Sequence, residues 1–229
     1  MMYYLILISS VLIGALIALY YKGFSGTKTK LLISFSGSYL FAITVLHLIP
    51  DIYNHGADYS IGIYIILGFF FQIILEHFTK GAEHGHSHFH GSIPLSVLIG
   101  LSVHAVLEGM PLGNHDHNHV HDNLLTGLAI HKIPVSIVLM NMMLLSGFSK
   151  FKSFAIIIAF ALMTPLGMFT SEFINVSNFH NEIMAIVIGI FLHISTTILF
   201  ESGDGHNFNK HKMISIILGT VIAILGLSL

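Results

Sequence analysis

Residues 93–113, IPLSVLIGLSVHAVLEGMPLG, and residues 124–147, LLTGLAIHKIPVSIVLMNMMLLSG, decide the fold. Each is apolar over the roughly 20 residues needed to cross the hydrocarbon of a bilayer as a helix. Yet the first carries His104 and Glu108, and the second carries His131 beside Lys132. One helical turn separates His104 from Glu108, so imidazole and carboxylate leave the helix on the same side, as a shared cation ligand set requires. An ionisable group at bilayer depth costs about 2.5–3.5 kcal/mol on insertion scales, so a cluster of them points to function.

Six more apolar runs surround this pair, at 3–21, 31–50, 61–79, 153–171, 183–201 and 213–229, giving eight spans in all. With 229 residues, 54% of them hydrophobic and only 9% charged, the chain is predicted to be an all-α polytopic membrane protein, a bundle of eight transmembrane helices. The connections are short and leave no room for a soluble catalytic or nucleotide-binding domain of ordinary size. Whatever the protein does, it does within the membrane or in short loops. There is no basic patch to suggest a nucleic-acid partner, and the absence of cysteine removes thiolate metal sites and disulfides.

Lysine sets the orientation. Lys22, Lys28, Lys30, Lys80, Lys150, Lys152, Lys210 and Lys212 fall in alternate connections, whereas the opposite ones carry Asp51, Asp58, Asp116, Asp122, Glu172 and Glu182. The lysine-bearing loops are predicted cytoplasmic, which places both termini outside. The first span lacks a positive n-region and is read as an anchor, not as a cleaved signal peptide.

Two histidine-rich segments signal metal affinity. His84, His86, His88 and His90 lie in the cytoplasmic connection after span 3, and His115, His117, His119 and His121 lie in the external connection after span 4. Alternating histidines in an extended loop can gather two or three neutral imidazoles around Zn²⁺ or Ni²⁺. Proline is scarce, and Pro111, Pro134 and Pro165 fall inside spans 4, 5 and 6, depriving the carbonyls of Leu107, Ile130 and Ala161 of their usual partners. Interrupted helices at membrane depth fit a transporter core better than a passive anchor.

A rise of about 1.5 Å per residue places Glu108 and His131 at one level, roughly 7 Å to the outer side of the midplane, with His104 close to the midplane. His47 lies further out in span 2, with Asp51 one turn on. His193 sits near mid-depth in span 7, and Glu201 closes the inner end of that span. Glu76 and His77 end span 3 on the same cytoplasmic side, just before the His84–His90 loop. Together these donors outline a route for a divalent cation. Mixed imidazole and carboxylate ligands suit borderline cations such as Zn²⁺ better than Mg²⁺ or Ca²⁺. Lys132 fits such a site as a fixed charge that pairs with Glu108 in place of a second ion; the alternative is a side chain that snorkels to the outer interface.

These residues resemble the ZIP (Zrt/Irt-like) family of divalent metal transporters. HAVLEGMPLG in span 4 is similar to that family's His-x-x-x-Glu-Gly helix and HKIPVS in span 5 to its His-Glu-x-Pro-x-x helix. Span 2 ends HLIPD, and span 6 holds TPLG where the family often has Glu-Pro-x-Gly. The resemblance implies a single domain over residues 1–229 with inverted repeats, and transport by alternating access of a core against a dimerising scaffold. It makes His104, Glu108 and His131 the primary ligands. It also exposes departures: Ala105, Lys132 and Thr164 stand where ligands of a second metal are expected, and Val135 where a Glu or His would complete the first site. A mononuclear core follows, with His47, Asp51, His193 or water left to fill the coordination shell.

The expected activity is therefore divalent metal transport, with Zn²⁺ imported across a cytoplasmic membrane and Fe²⁺ or Mn²⁺ as alternative cargo. The expected partners are metal ions, the lipid bilayer and a second copy of the chain in a homodimer; no catalytic cofactor is implied. Two other readings stay open. An intramembrane zinc metalloenzyme would use the same ligands, although no His-Glu-x-x-His motif or acid/base partner stands out; a transport-dead metal sensor or scaffold would account for Val135 and the missing second site.

Overall fold

The computed structural model describes residues 1–21, 26–54, 59–79, 95–113, 119–174, 179–201 and 210–226, and among them all regular structure is helical. Where no water can satisfy a peptide group, a helix answers every N–H and C=O within the segment, so long apolar runs have little alternative. The elements are α1 (Met2–Tyr20), α2 (Thr27–Ile43), a π-helical turn (Thr44–Leu48), α3 (Ile49–Asn54), α4 (Ile61–Thr79), α5 (Leu95–Gly109), a 3₁₀ turn (Met110–Gly113), α6 (His119–Leu145), α7 (Lys150–Ala161), α8 (Met163–Ile174), α9 (His180–Glu201) and α10 (Lys210–Gly226). Among the described residues, seven helical segments are long and apolar enough to cross a membrane. The last apolar helix, α10, has 17 residues. The histidines at 84–90, 115 and 117 lie outside the described residues, as do the side chains of residues 119–121 and Glu201.

The distribution of residues is that of a protein whose solvent is lipid. Large apolar side chains such as Ile63, Ile66, Phe70 and Ile74 of α4 are exposed, while Ser34, Ser36, Ser38, Thr44 and Ser195 are buried. These buried hydroxyls are satisfied by their own helices: Thr44 donates to the Leu40 carbonyl at 2.7 Å, and Ser195 to the Phe191 carbonyl at 2.6 Å.

The main helix pairs are α1 with α6, α2 with α10, α4 with α9 and α5 with α8. The α5–α8 crossing matters most for the site. A Cβ at Gly109 would fall on the Thr164 carbonyl, and one at Gly167 on the Val106 carbonyl, so backbone packs on backbone. Gly167→Ala is expected to lower stability in detergent by about 1–3 kcal/mol through overpacking; an unchanged thermal midpoint would show that α8 is free to move away. At the first turn of α1, the Tyr3 hydroxyl donates to Asp122 at 2.5 Å and that of Tyr4 to Glu172 at 3.1 Å, tying this end of α1 to α6 and α8.

The prolines act unequally. Span 4 changes from α to 3₁₀ at Met110, one residue before Pro111, and span 6 breaks at Leu162, where Pro165 has no N–H for the Ala161 carbonyl. Pro134, by contrast, leaves α6 continuous, which corrects the expectation of a third break. A third irregularity accompanies Pro50: the Ile49 N–H reaches back five residues to the Thr44 carbonyl, opening the helix into the π turn that carries His47. After α6, Gly147 at φ 81° gives a Schellman ending, with the Phe148 N–H on the Met143 carbonyl at 3.0 Å, and the Ser149 hydroxyl then caps α7.

Candidate metal centre

The centre is built from two neighbouring helical segments. His104 and Glu108 project from successive turns of α5, and His131 reaches them from α6; one donor atom from each lies within 4.8 Å of the others. His104 is 3% exposed, Glu108 0% and His131 2%, so all three face protein and none faces the acyl chains. A tetrahedral Zn²⁺ with ligands at about 2.0–2.2 Å needs donors roughly 3.4 Å apart, a contraction that side-chain rotation can supply. The His104 Nε2 and Glu108 Oε1 atoms stand 2.8 Å apart, closer than that separation, and would part slightly to share an ion.

Lys132 is part of the same centre. Its Nζ donates to Glu108 Oε2 at 2.6 Å, is 5.8 Å from the centroid of the Phe160 ring, and belongs to a residue only 3% exposed. The side chain therefore turns inward rather than snorkelling. Glu108 thus divides its two oxygens, one toward His104 and the other toward Lys132. Ala105, Val135 and Thr164 are buried as well, and none offers a carboxylate or imidazole.

Other residues singled out from the sequence form separate groups. His47 is half-buried on the π turn, with Nδ1 3.4 Å from the amide nitrogen of Asn123 on α6, and Asp51 follows one turn later. Toward the other end of the bundle, His193 on α9 meets Glu76 on α4 at 2.5 Å, with the Phe69 ring set edge-on to the imidazole at 5.0 Å. Sequence depth set His193 near the middle of its span and Glu76 at the end of span 3. The two meet because α9, at 22 residues, outruns α4, at 19, and the packed helices need not share a depth register. His77 is exposed beside Phe78. His47, Asp51, Glu76, His77 and His193 thus stand outside the three-donor group.

Asn123, Phe69 and Phe160 did not stand out in the sequence. Asn123 follows a run of His and Asp and reads as loop; its position at the start of α6, across from a conspicuous His-Leu-Ile-Pro-Asp segment, is the only hint. The aromatic residues are indistinguishable in sequence from lipid-facing ones.

What this arrangement can do is hold a borderline divalent cation by two nitrogens and one oxygen in a water-poor interior. Comparison with known families leads the same way: the family model described as ZIP Zinc transporter matches residues 83–228, which include both helices of the centre and more than half of the chain. No curated protein matches the chain. Divalent metal transport across a membrane is what that match implies, and the chain belongs to the ZIP zinc transporter family.

Proposed function

We propose that the protein imports Zn²⁺ across the cytoplasmic membrane, one ion at a time, through a site formed by His104, Glu108 and His131. The observation that carries this reading is the burial of two imidazoles and a carboxylate together on two neighbouring spans, in a chain whose described residues include seven helical segments long and apolar enough to cross a bilayer. Fe²⁺ and Mn²⁺ are the alternative cargo. His47 and Asp51 receive the ion at the external mouth, and Glu76, His193, Glu201 and His77 pass it to the cytoplasmic His84, His86, His88 and His90. Lys132 fills the place of a second metal, which makes the centre mononuclear.

Repeated contacts support inverted repeats and hence alternating access. A Cβ at Gly68 of α4 would strike the Ile186 carbonyl, and one at Gly219 of α10 would strike the Phe35 carbonyl; the same step of 151 residues carries 68 to 219 and 35 to 186. That step also carries the Thr44–Leu40 hydrogen bond onto Ser195–Phe191. It takes spans 2 and 3 to spans 7 and 8, each the fifth span on, so the two copies cross the bilayer in opposite senses. Between α5 and α6 the step is 27 residues: it carries Val106, whose carbonyl receives Gly167, to Ile133, whose carbonyl receives Gly14. It also carries His104 to His131, so the centre sits on the pseudo-twofold axis. The pairing of α1 with α6 and of α2 with α10 supports one domain over residues 1–229. Lysine placement supports external termini, and the family likeness supports a homodimer.

Proteoliposome uptake of radioactive Zn²⁺ tests the assignment. Saturable uptake is expected, falling as acidification protonates the imidazoles that must ligate as neutral rings. Uptake no faster than in empty vesicles at any pH would overturn it.

A further inference from the structure

We infer that Lys132 determines which metals the centre accepts, by cancelling the charge of Glu108 and occupying one of its oxygens. The inference rests on the site proposed above and deepens it. Glu108 Oε2 is held by the Lys132 ammonium at 2.6 Å, and the side chains of this pair are 0% and 4% exposed, so water does little to screen it. An arriving cation therefore meets two imidazole nitrogens and one remaining carboxylate oxygen, in a centre whose fixed charges sum to zero.

The internal pseudo-twofold shows what is unusual. The 27-residue step that carries His104 to His131 carries Glu108 to Val135 and Ala105 to Lys132. A symmetric centre would hold two carboxylates and no ammonium. Here α6 carries Val135 where α5 carries Glu108, and Lys132 where α5 carries Ala105, and that ammonium pairs with the carboxylate on α5. Both differences lower the negative charge within the same few ångströms.

Metal chemistry converts that charge balance into selection. Mn²⁺ and Mg²⁺ take their binding energy chiefly from oxygen ligands and net negative charge, whereas Zn²⁺ and Co²⁺ gain strongly from imidazole. A charge-neutral, nitrogen-dominated centre penalises the first group more than the second. Removing the ammonium restores a second oxygen and one unit of negative charge, and Mn²⁺ profits most. Lys132 thus biases the centre toward Zn²⁺-like ions and makes Mn²⁺ the poorer alternative cargo.

The test compares Zn²⁺ and Mn²⁺ dissociation constants of the purified full-length protein in detergent, measured by competition with a metallochromic chelator. In Lys132→Met the Mn²⁺/Zn²⁺ ratio of dissociation constants is expected to narrow by about 10- to 100-fold. Lys132→Arg, which keeps the charge, should hold the wild-type ratio, and Glu108→Gln/Lys132→Met, neutral again, should return toward it. If Lys132→Met fails to fold, Lys132→Gln removes the charge while keeping a hydrogen bond and carries the same expectation. A ratio within about threefold of wild type in Lys132→Met or Lys132→Gln overturns the inference, provided that His104→Ala abolishes Zn²⁺ binding. Zn²⁺ binding that survives His104→Ala overturns the site itself, and the role of Lys132 falls with it.

Discussion

Replacing His104 by alanine should abolish saturable Zn²⁺ uptake while leaving a folded protein. The imidazole supplies one of the three donors gathered in the buried centre among the described residues, and its Nε2 stands 2.8 Å from the carboxylate oxygen that would share the ion. Without it the cation keeps one nitrogen and one oxygen, and neither Ala105 nor Val135 beside the centre can replace the lost donor. Loss of a residue that merely hydrogen-bonds to a ligand already weakens metal affinity by about 10- to 100-fold, so loss of a ligand should exceed that range. Folding should suffer much less. Glu108 retains its bond to Lys132, and trimming one buried side chain at the α5–α6 contact costs on the order of 2–3 kcal/mol. Uptake into proteoliposomes, with gel filtration and a thermal melt on the same preparation, separates the two effects. Wild-type uptake in this variant would remove His104 from the transport site.

The centre was legible in the sequence because its signals are local and costly. A histidine, a glutamate and a second histidine inside two spans have few reasons to exist in lipid other than to face one another, and helical spacing fixes their directions. The Lys132–Glu108 pair was legible for the same reason, since a lysine so placed needs a partner and one carboxylate lay at its level. Span 3 was read with its observed bounds because both its ends are sharp. Spans 2 and 6 begin earlier than hydropathy suggests, at Thr27 and Lys150, since polar residues extend a helix past the apolar core into the interface. The π turn at Thr44–Leu48 was not legible. Pro50 announces a missing donor, but whether a helix ends, kinks or widens depends on what packs around it. Pro134 shows the same point in reverse, since α6 runs through it unbroken. The meeting of Glu76 with His193 escaped because it depends on how two spans of unequal length are set against each other, which no linear depth count contains.

Glu108→Ala should differ from His104→Ala in kind, because it damages the fold as well as the site. Removing the carboxylate deletes a ligand and also strands the Lys132 ammonium, whose Nζ has its charged partner at 2.6 Å in a residue 3% exposed. Breaking a buried ion pair from one side costs about 3–5 kcal/mol, since the remaining charge has neither water nor a counter-ion. Phe160 softens this little: its ring centroid is 5.8 Å away, and a cation–π contact returns only about 0.5–2 kcal/mol. Glu108→Ala/Lys132→Met removes both charges and fills the space of the lysine stem with apolar atoms. It should recover most of the lost stability, because an apolar replacement for a buried pair is often neutral or better. It should recover no uptake, because the oxygen ligand is still missing. Thermal unfolding in one detergent, with uptake measured in parallel, gives four quantities from two variants. If Glu108→Ala melts no lower than the double variant, Lys132 can find water or another partner, and the charge-compensated centre fails. If the double variant transports Zn²⁺, Glu108 is a counter-ion for Lys132 and not a ligand.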